Sequence, residues 1–169
     1  MNLKTPPAPP ASRVTKANAP KGKQAPGVAK APAEALDIAR SLVRRGELDS
    51  ADTVLGRILK ANPRDVQALI ELAVVKLRQN ERGIAREKLE TALKISPDSA
   101  ISKKLLGLCC VQEGKSEEAL KLLEAASAAL PRDSDAHFFL SQAFTGLKRY
   151  PEALAAIGKA LHLRPESAV

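Results

Sequence analysis

The apolar positions of this chain sort into paired helical runs. Ala35, Leu36, Ile38, Ala39, Leu42 and Val43 recur at helical spacing and stop at Gly46. After the short stretch Glu47-Leu48-Asp49, a second run of Ala51, Val54, Leu55, Ile58 and Leu59 ends at Asn62-Pro63. Such spacing lays apolar side chains along one helix face and leaves the other to water. The alternation continues with Leu69, Leu72, Ala73 and Leu77, then Ile84, Ala85, Leu89, Ala92 and Leu93. Leu105, Leu106, Leu108 and Val111 precede Leu120, Leu122, Leu123 and Ala126; Phe138, Leu140, Ala143 and Phe144 precede Leu154, Ile157, Ala160 and Leu161. The pattern predicts helix pairs, each folded back on itself.

The punctuation between the runs is periodic. Pro63, Pro97, Pro131 and Pro165 stand 34 residues apart, and Ala51, Ala85, Ala119 and Ala153 keep the same interval. Each proline falls just past a helix end and blocks its continuation. Gly46 and Gly114 suit the tight turn inside a pair, where glycine accepts a positive φ. A fixed period held over four copies predicts a stacked helical array rather than one globular core.

These residues resemble the tetratricopeptide repeat family. Leu140-Ser141, Phe144, Tyr150-Pro151-Glu152-Ala153-Leu154, Lys159-Ala160-Leu161 and Pro165 carry the likeness through one whole unit. Leu106-Gly107, Gly114, Glu118-Ala119-Leu120, Ala126 and Pro131 carry it through another. The resemblance implies an all-α, right-handed solenoid of four units, 32–65, 66–99, 100–133 and 134–167, within a repeat region 32–169. Ala39, Ala73, Gly107 and Ser141 are small where the first helix of a unit must approach the second, and a large residue there overpacks the crossing. Lys103 and His137 depart from the large apolar residue usual at their position, which bears on how tightly the third and fourth first helices pack.

Composition changes this picture at one end. Apolar residues make up 44% of the chain but aromatic ones only 2%, so Leu, Ala, Ile and Val must supply the core, as suits close helix packing. Of the formal net charge of +8, Lys4, Arg13, Lys16, Lys21, Lys23 and Lys30 supply six, with no acidic residue before Glu34. Residues 1–31 are rich in Pro, Ala and Lys and carry little that could bury apolar surface, so a disordered basic tail is expected. Lys4-x-x-Pro7-x-x-Pro10 fits a basic polyproline ligand pattern. The positive charge could also draw nucleic acid or an anionic membrane weakly, but without interleaved aromatics or an amphipathic helix a solvated spacer fits better. Met1-Asn2-Leu3-Lys4-Thr5-Pro6 has no apolar signal core, and no run approaches the roughly 20 residues of a membrane span. Adjacent Cys109 and Cys110 form no metal or redox spacing, which points to a reduced, cytoplasmic setting.

Candidate chemistry is sparse. His137 and His162 have no acidic partner at triad or ligand spacing, and neighbouring helical thiols cannot pair without strain. Lys21-Gly22-Lys23 lacks both the strand and the spacing of a phosphate loop. No catalytic, cofactor or metal residue is expected, and no enzyme activity. The resemblance instead implies a concave groove lined by first helices and holding a partner peptide or helix. Its inward positions are Leu36, Arg40, Val43 and Arg44; Ile70, Val74, Leu77 and Arg78; Ile101, Lys104, Leu108 and Val111; Phe138 and Gln142. An apolar strip ringed by Arg40, Arg44, Arg78 and Lys104 suits a protein ligand with aliphatic anchors and acidic character. The Lys and Asn with which co-chaperone arrays clamp a terminal carboxylate fall here at Leu36 and Arg40, or at Ile70 and Val74, so that specialisation is disfavoured. The expected role is an interaction scaffold or adaptor. The alternative is the substrate-selecting front of a longer bacterial transferase of the sulfotransferase or O-linked sugar-transferase type, because the chain stops just after a repeat-closing proline. Leu154, Ile157 and Leu161 would then meet a following unit; without one, they predict self-association through the last unit.

Overall fold

The computed structural model describes residues 32–164, so the expected tail and the closing Pro165 lie outside the described residues. The described residues form eight helices in four pairs: α1 (Pro32–Arg45) and α2 (Leu48–Ala61), α3 (Val66–Arg78) and α4 (Arg82–Ile95), α5 (Ala100–Gln112) and α6 (Ser116–Ala129), α7 (Ser134–Gly146) and α8 (Tyr150–Leu163).

Two kinds of turn alternate, each with a local cause. Between pairs, proline sets the second residue of a β-turn. The turns close by N–H bonds from Asp65 to the Asn62 carbonyl, from Ser99 to Ser96, and from Asp133 to Leu130. The residue that closes each turn also caps the next helix: Asp65, Ser99 and Asp133 accept from the N–H groups of Ala68, Ser102 and Ala136 at 3.0, 3.3 and 3.0 Å. Such side-chain acceptors satisfy donors that the first helical turn leaves unpaired.

Within pairs, one residue adopts a left-handed conformation. These are Gly46 (φ +80°), Asn80 (+62°), Gly114 (+75°) and Lys148 (+60°), again one period apart. The following N–H reaches back over the last helical turn, from Glu47 to Leu42, Glu81 to Lys76, Lys115 to Cys110 and Arg149 to Phe144, at 2.8–3.0 Å. This six-to-one bond stops a helix and reverses the chain. Glycine announces the turn in two units; Asn80 adopts it with modest strain, and Lys148 adopts it against its side chain.

The core is built from small residues facing large ones. Ala39, Ala51 and Leu55 are wholly buried in one cluster, and Ala73, Ala85 and Leu89 in another. In the third pair the approach is closest: a Cβ placed on Gly107 would sit 2.5 Å from Leu123 Cγ. The clusters do not stop at unit boundaries. Leu72 and Val75 of α3 complete the first, and Leu106 and Cys109 of α5 complete the one built on α3 and α4. α2, α4 and α6 are thus each covered by the first helix of the next pair.

The layering follows from which helices touch. The first helices approach one another backbone to backbone in sequence, α1 with α3, α3 with α5 and α5 with α7, whereas no two second helices come that close among the described residues, and Arg86 of α4 reaches Glu118 of α6 by its side chain alone. First helices therefore form the inner layer of a curve, and second helices fan out on its outer side. His137, out of place for its position in the repeat, is nonetheless buried at 8% exposure, and Lys103 is half-buried. His137 sets its Nε2 3.2 Å from the Pro131 carbonyl oxygen. The third and fourth first helices thus pack with these departures absorbed.

Two substitutions test these local causes. Gly107→Ala should cost about 1–3 kcal/mol by overpacking against buried Leu123. In urea titrations its pairing with Leu123→Ala should cost less than the sum of the single changes. Lys148→Gly should relieve the left-handed strain and raise stability by about 0.5–1 kcal/mol in the same assay.

Candidate peptide-binding face

Side-chain bonds between successive first helices mark the inner face. Arg40 of α1 donates through Nε to Glu71 Oε1 of α3 at 2.6 Å and through Nη2 to Gln67 Oε1 at 3.3 Å. Arg78 of α3 donates through Nη1 to the carbonyl of Val43 at 2.8 Å. Moved along by whole periods, the positions of Gln67 and Arg40 become those of Ile101, Leu108 and Gln142 on the same face.

The expected groove residues divide three ways. Val43 and Ile70 are 6% and 5% exposed and belong to the core, the first with Leu55 and Leu72, the second with Leu69 and Ala92. They offer a ligand almost no surface, which corrects the sequence expectation. The cause is that an inner helix packs on its partner and on its neighbours, so its buried arc is wider than one amphipathic face. Leu36 and Val74 are half-buried against the first cluster, Leu77 and Val111 against later ones. The open apolar surface lies in the second half of the array: Ile101 is 44% and Phe138 41% exposed, with Leu108 and Gln142 half-buried. Phe138 is braced by a tilted contact with Phe139, ring centres 5.9 Å apart.

The cationic ring is also altered. Arg40 is held by Glu71 and, at 3.5 Å, by Asp37; the bond to Glu71 is the main reason its already high pKa rises further. Lys104 bonds the carboxylate of Asp133. Burial pushes the Asp133 pKa up, but Lys104 and the Ala136 N–H outweigh it and hold the carboxyl below its usual range. Arg44 and Arg78 remain exposed. Sequence spacing hints at the Asp37–Arg40 pair, three residues apart on one helix, but gives no signal for partners on another unit.

Away from this face, ion pairs join the units. Lys76 of α3 lies 2.7 Å from Asp52 of α2 and 3.3 Å from Glu81. Arg86 of α4 meets Glu113 at 3.0 Å, Glu118 at 3.3 Å and Cys110 Sγ at 3.1 Å. Burial raises the pKa of both thiols, that of Cys110 to about 11, so these cysteines are protonated packing groups. His137 and His162 border a shallow cleft of about 380 Å³ with Lys159 and Leu163. The buried Nδ1 of His137 has no hydrogen-bond partner among the described residues. Among the described residues no group of His, Cys, Asp and Glu is arranged to hold a metal ion, and no helix is long and apolar enough to cross a membrane.

The tetratricopeptide repeat model matches the chain in overlapping stretches, residues 36–100, 70–129 and 111–168. The chain belongs to the tetratricopeptide repeat family. Among solved structures, this array is similar to TTC0263, a thermophilic tetratricopeptide repeat protein of Thermus thermophilus, at 26% identity and a TM-score of 0.70, over 80% of this chain and 75% of that one. It is similar to MamA AMB-1 at 28% identity and a TM-score of 0.67, over 79% of each chain. MamA from Desulfovibrio magneticus RS-1 shares the fold at 24% identity and a TM-score of 0.69, over 80% of this chain and 76% of that one. No curated protein matches the array. Its fold is that of a protein-interaction scaffold.

Asp133 both caps α7 and binds Lys104, so it tests how the inner helices are held in place. Asp133→Ala should cost about 1–2 kcal/mol, and Asp133→Asn, which keeps a cap, less. Because the folded pKa lies below the unfolded one, the charged carboxylate contributes its stability at neutral pH. That contribution fades as pH falls below about 4, through the lowered folded value. Urea titrations at neutral and acid pH should show a smaller acid loss in Asp133→Asn than in the wild type.

Proposed function

We propose that the inner face binds an extended or helical segment of a partner protein, with the contact centred on its second half. The observation that carries this reading is Phe138, a large aromatic residue left 41% exposed on an inner helix and propped by Phe139. Held rings contribute much to interfaces because little side-chain freedom is lost on binding. Ile101 extends the apolar surface, half-buried Leu108 lies on the same face, and exposed Arg78 adds positive charge on the preceding inner helix. The partner segment is therefore apolar at its anchors, aliphatic or aromatic, with acidic residues nearby. Arg40 and Lys104 are bound to carboxylates of the array itself and so contribute less charge than their number suggests. No step of this role is catalytic: the array holds a segment in place and leaves it unchanged. Self-association is a separate property, belonging to the ends of the array.

A random-peptide display library selected on the full chain tests the reading, followed by calorimetric titration of the recovered peptides. Phe138→Ala should weaken them by about 1–2 kcal/mol. Arg78→Glu should weaken the acidic ones, most at low salt. Both variants should keep the wild-type circular dichroism. Recovered peptides that bind Phe138→Ala unchanged would place recognition elsewhere on the molecule.

A further inference from the structure

The first and last helices of the described array leave open positions that its internal junctions cover. Inside the array, α3, α5 and α7 lie on α2, α4 and α6. Leu154 and Leu161 of α8 are 70% and 43% exposed, whereas Leu120 and Ser127, one period earlier on α6, are half-buried and buried. At the other end Ile38 of α1 is 40% exposed, whereas Leu72, Leu106 and Leu140, at the same position of later units, are 5–8% exposed. Each end is thus half of a junction that the chain builds three times internally, and the halves are opposite ones.

The internal register says what would meet. Lys76 of α3 binds Asp52 of α2 at 2.7 Å; one period on, Cys110 meets Arg86 at 3.1 Å; one further, Phe144 shares a cluster with Leu120. Carried past α8, this register sets exposed Leu154 over Leu42 of a second α1; Leu42 is already 8% exposed within its own pair, so the apolar surface newly covered there is that of Leu154. A second position agrees. Gly146 of α7 lies so close to Ser116 of α6 that an added Cβ would clash with the hydroxyl. The same step past α8 puts Arg44 of the second copy over Tyr150, which is 57% exposed. A guanidinium over a phenol ring is an attractive pairing.

We propose that copies of this chain associate head to tail, α1 of one seated on α8 of the next as though it were a further repeat. The surfaces that meet differ, so the association does not close at two copies and extends the solenoid into a string. The inference concerns the end faces and is independent of the inner-face reading.

Sedimentation of the full chain over a wide concentration range tests it. The average mass of the wild type should climb with concentration without levelling at the dimer. Ile38→Glu and Leu154→Glu change exposed residues, so each should melt as the wild type does and sediment alone as a monomer. Their equimolar mixture should form a dimer and stop there, since each supplies one intact end. Should either charge unfold the array, Tyr150→Ala should still weaken association several-fold by the same readout. Three results overturn the proposal: a wild type monomeric throughout; Ile38→Glu associating as the wild type does, which would mean like end against like end; and a mixture that stays monomeric.

Discussion

The structure depends on how closely the two helices of a pair approach. A small residue on the first helix, Ala39, Ala73 or Gly107, admits a leucine of the second, Leu55, Leu89 or Leu123, and each of these leucines is wholly buried. Interiors packed at crystal density leave no slack for a larger group at that point. The approach fixes the crossing of the pair, which fixes where its second helix presents a surface to the next pair. Repetition at a constant period then yields a solenoid.

The junctions between pairs differ in chemistry though not in geometry. The first is tied by Lys76 to Asp52, and the second by Arg86 to Glu113 and Glu118. The third is apolar where α7 meets α6, with Phe144 and Leu120 in one cluster, and Lys104 of α5 ties it to the cap of α7 at Asp133. Partly buried ion pairs must recover the cost of leaving water before they add stability, whereas apolar contacts gain from it. Stability in an array of this kind is passed between neighbours, so the balance at each junction is set locally.

The fold was legible in the sequence because its signals are local. Pro63, Pro97 and Pro131 mark turns by their own chemistry, and Ala51, Ala85 and Ala119 mark the crossings by their size. The turns at Asn80 and Lys148 were less legible, since neither residue needs a positive φ and only the bonds back to Lys76 and Phe144 show it. The inner face was legible in outline only. Periodicity assigns Val43 and Ile70 to the same face as Leu108, yet packing from adjacent pairs encloses them. Arg40 and Lys104 read as free cations because their carboxylates, Glu71 and Asp133, come from other helices. Charge that is spent within a fold cannot be told from charge offered to a ligand by counting residues in one segment.

The backbones of neighbouring second helices stand apart among the described residues, α4 and α6 being linked by the side chains of Arg86 and Glu118, while the first helices form a continuous inner contact. Bending such an assembly works mainly against the inner layer, since the fanning of α2, α4, α6 and α8 on the outer side is opposed by long side chains such as Arg86 rather than by packed backbone. The array is thus an elastic strip with its stiff element on the inside. Small rotations at each junction add along its length, so the width between α1 and α7 changes by far more than any single contact moves. A scaffold of this construction adjusts its span to what it holds while every core leucine stays in place.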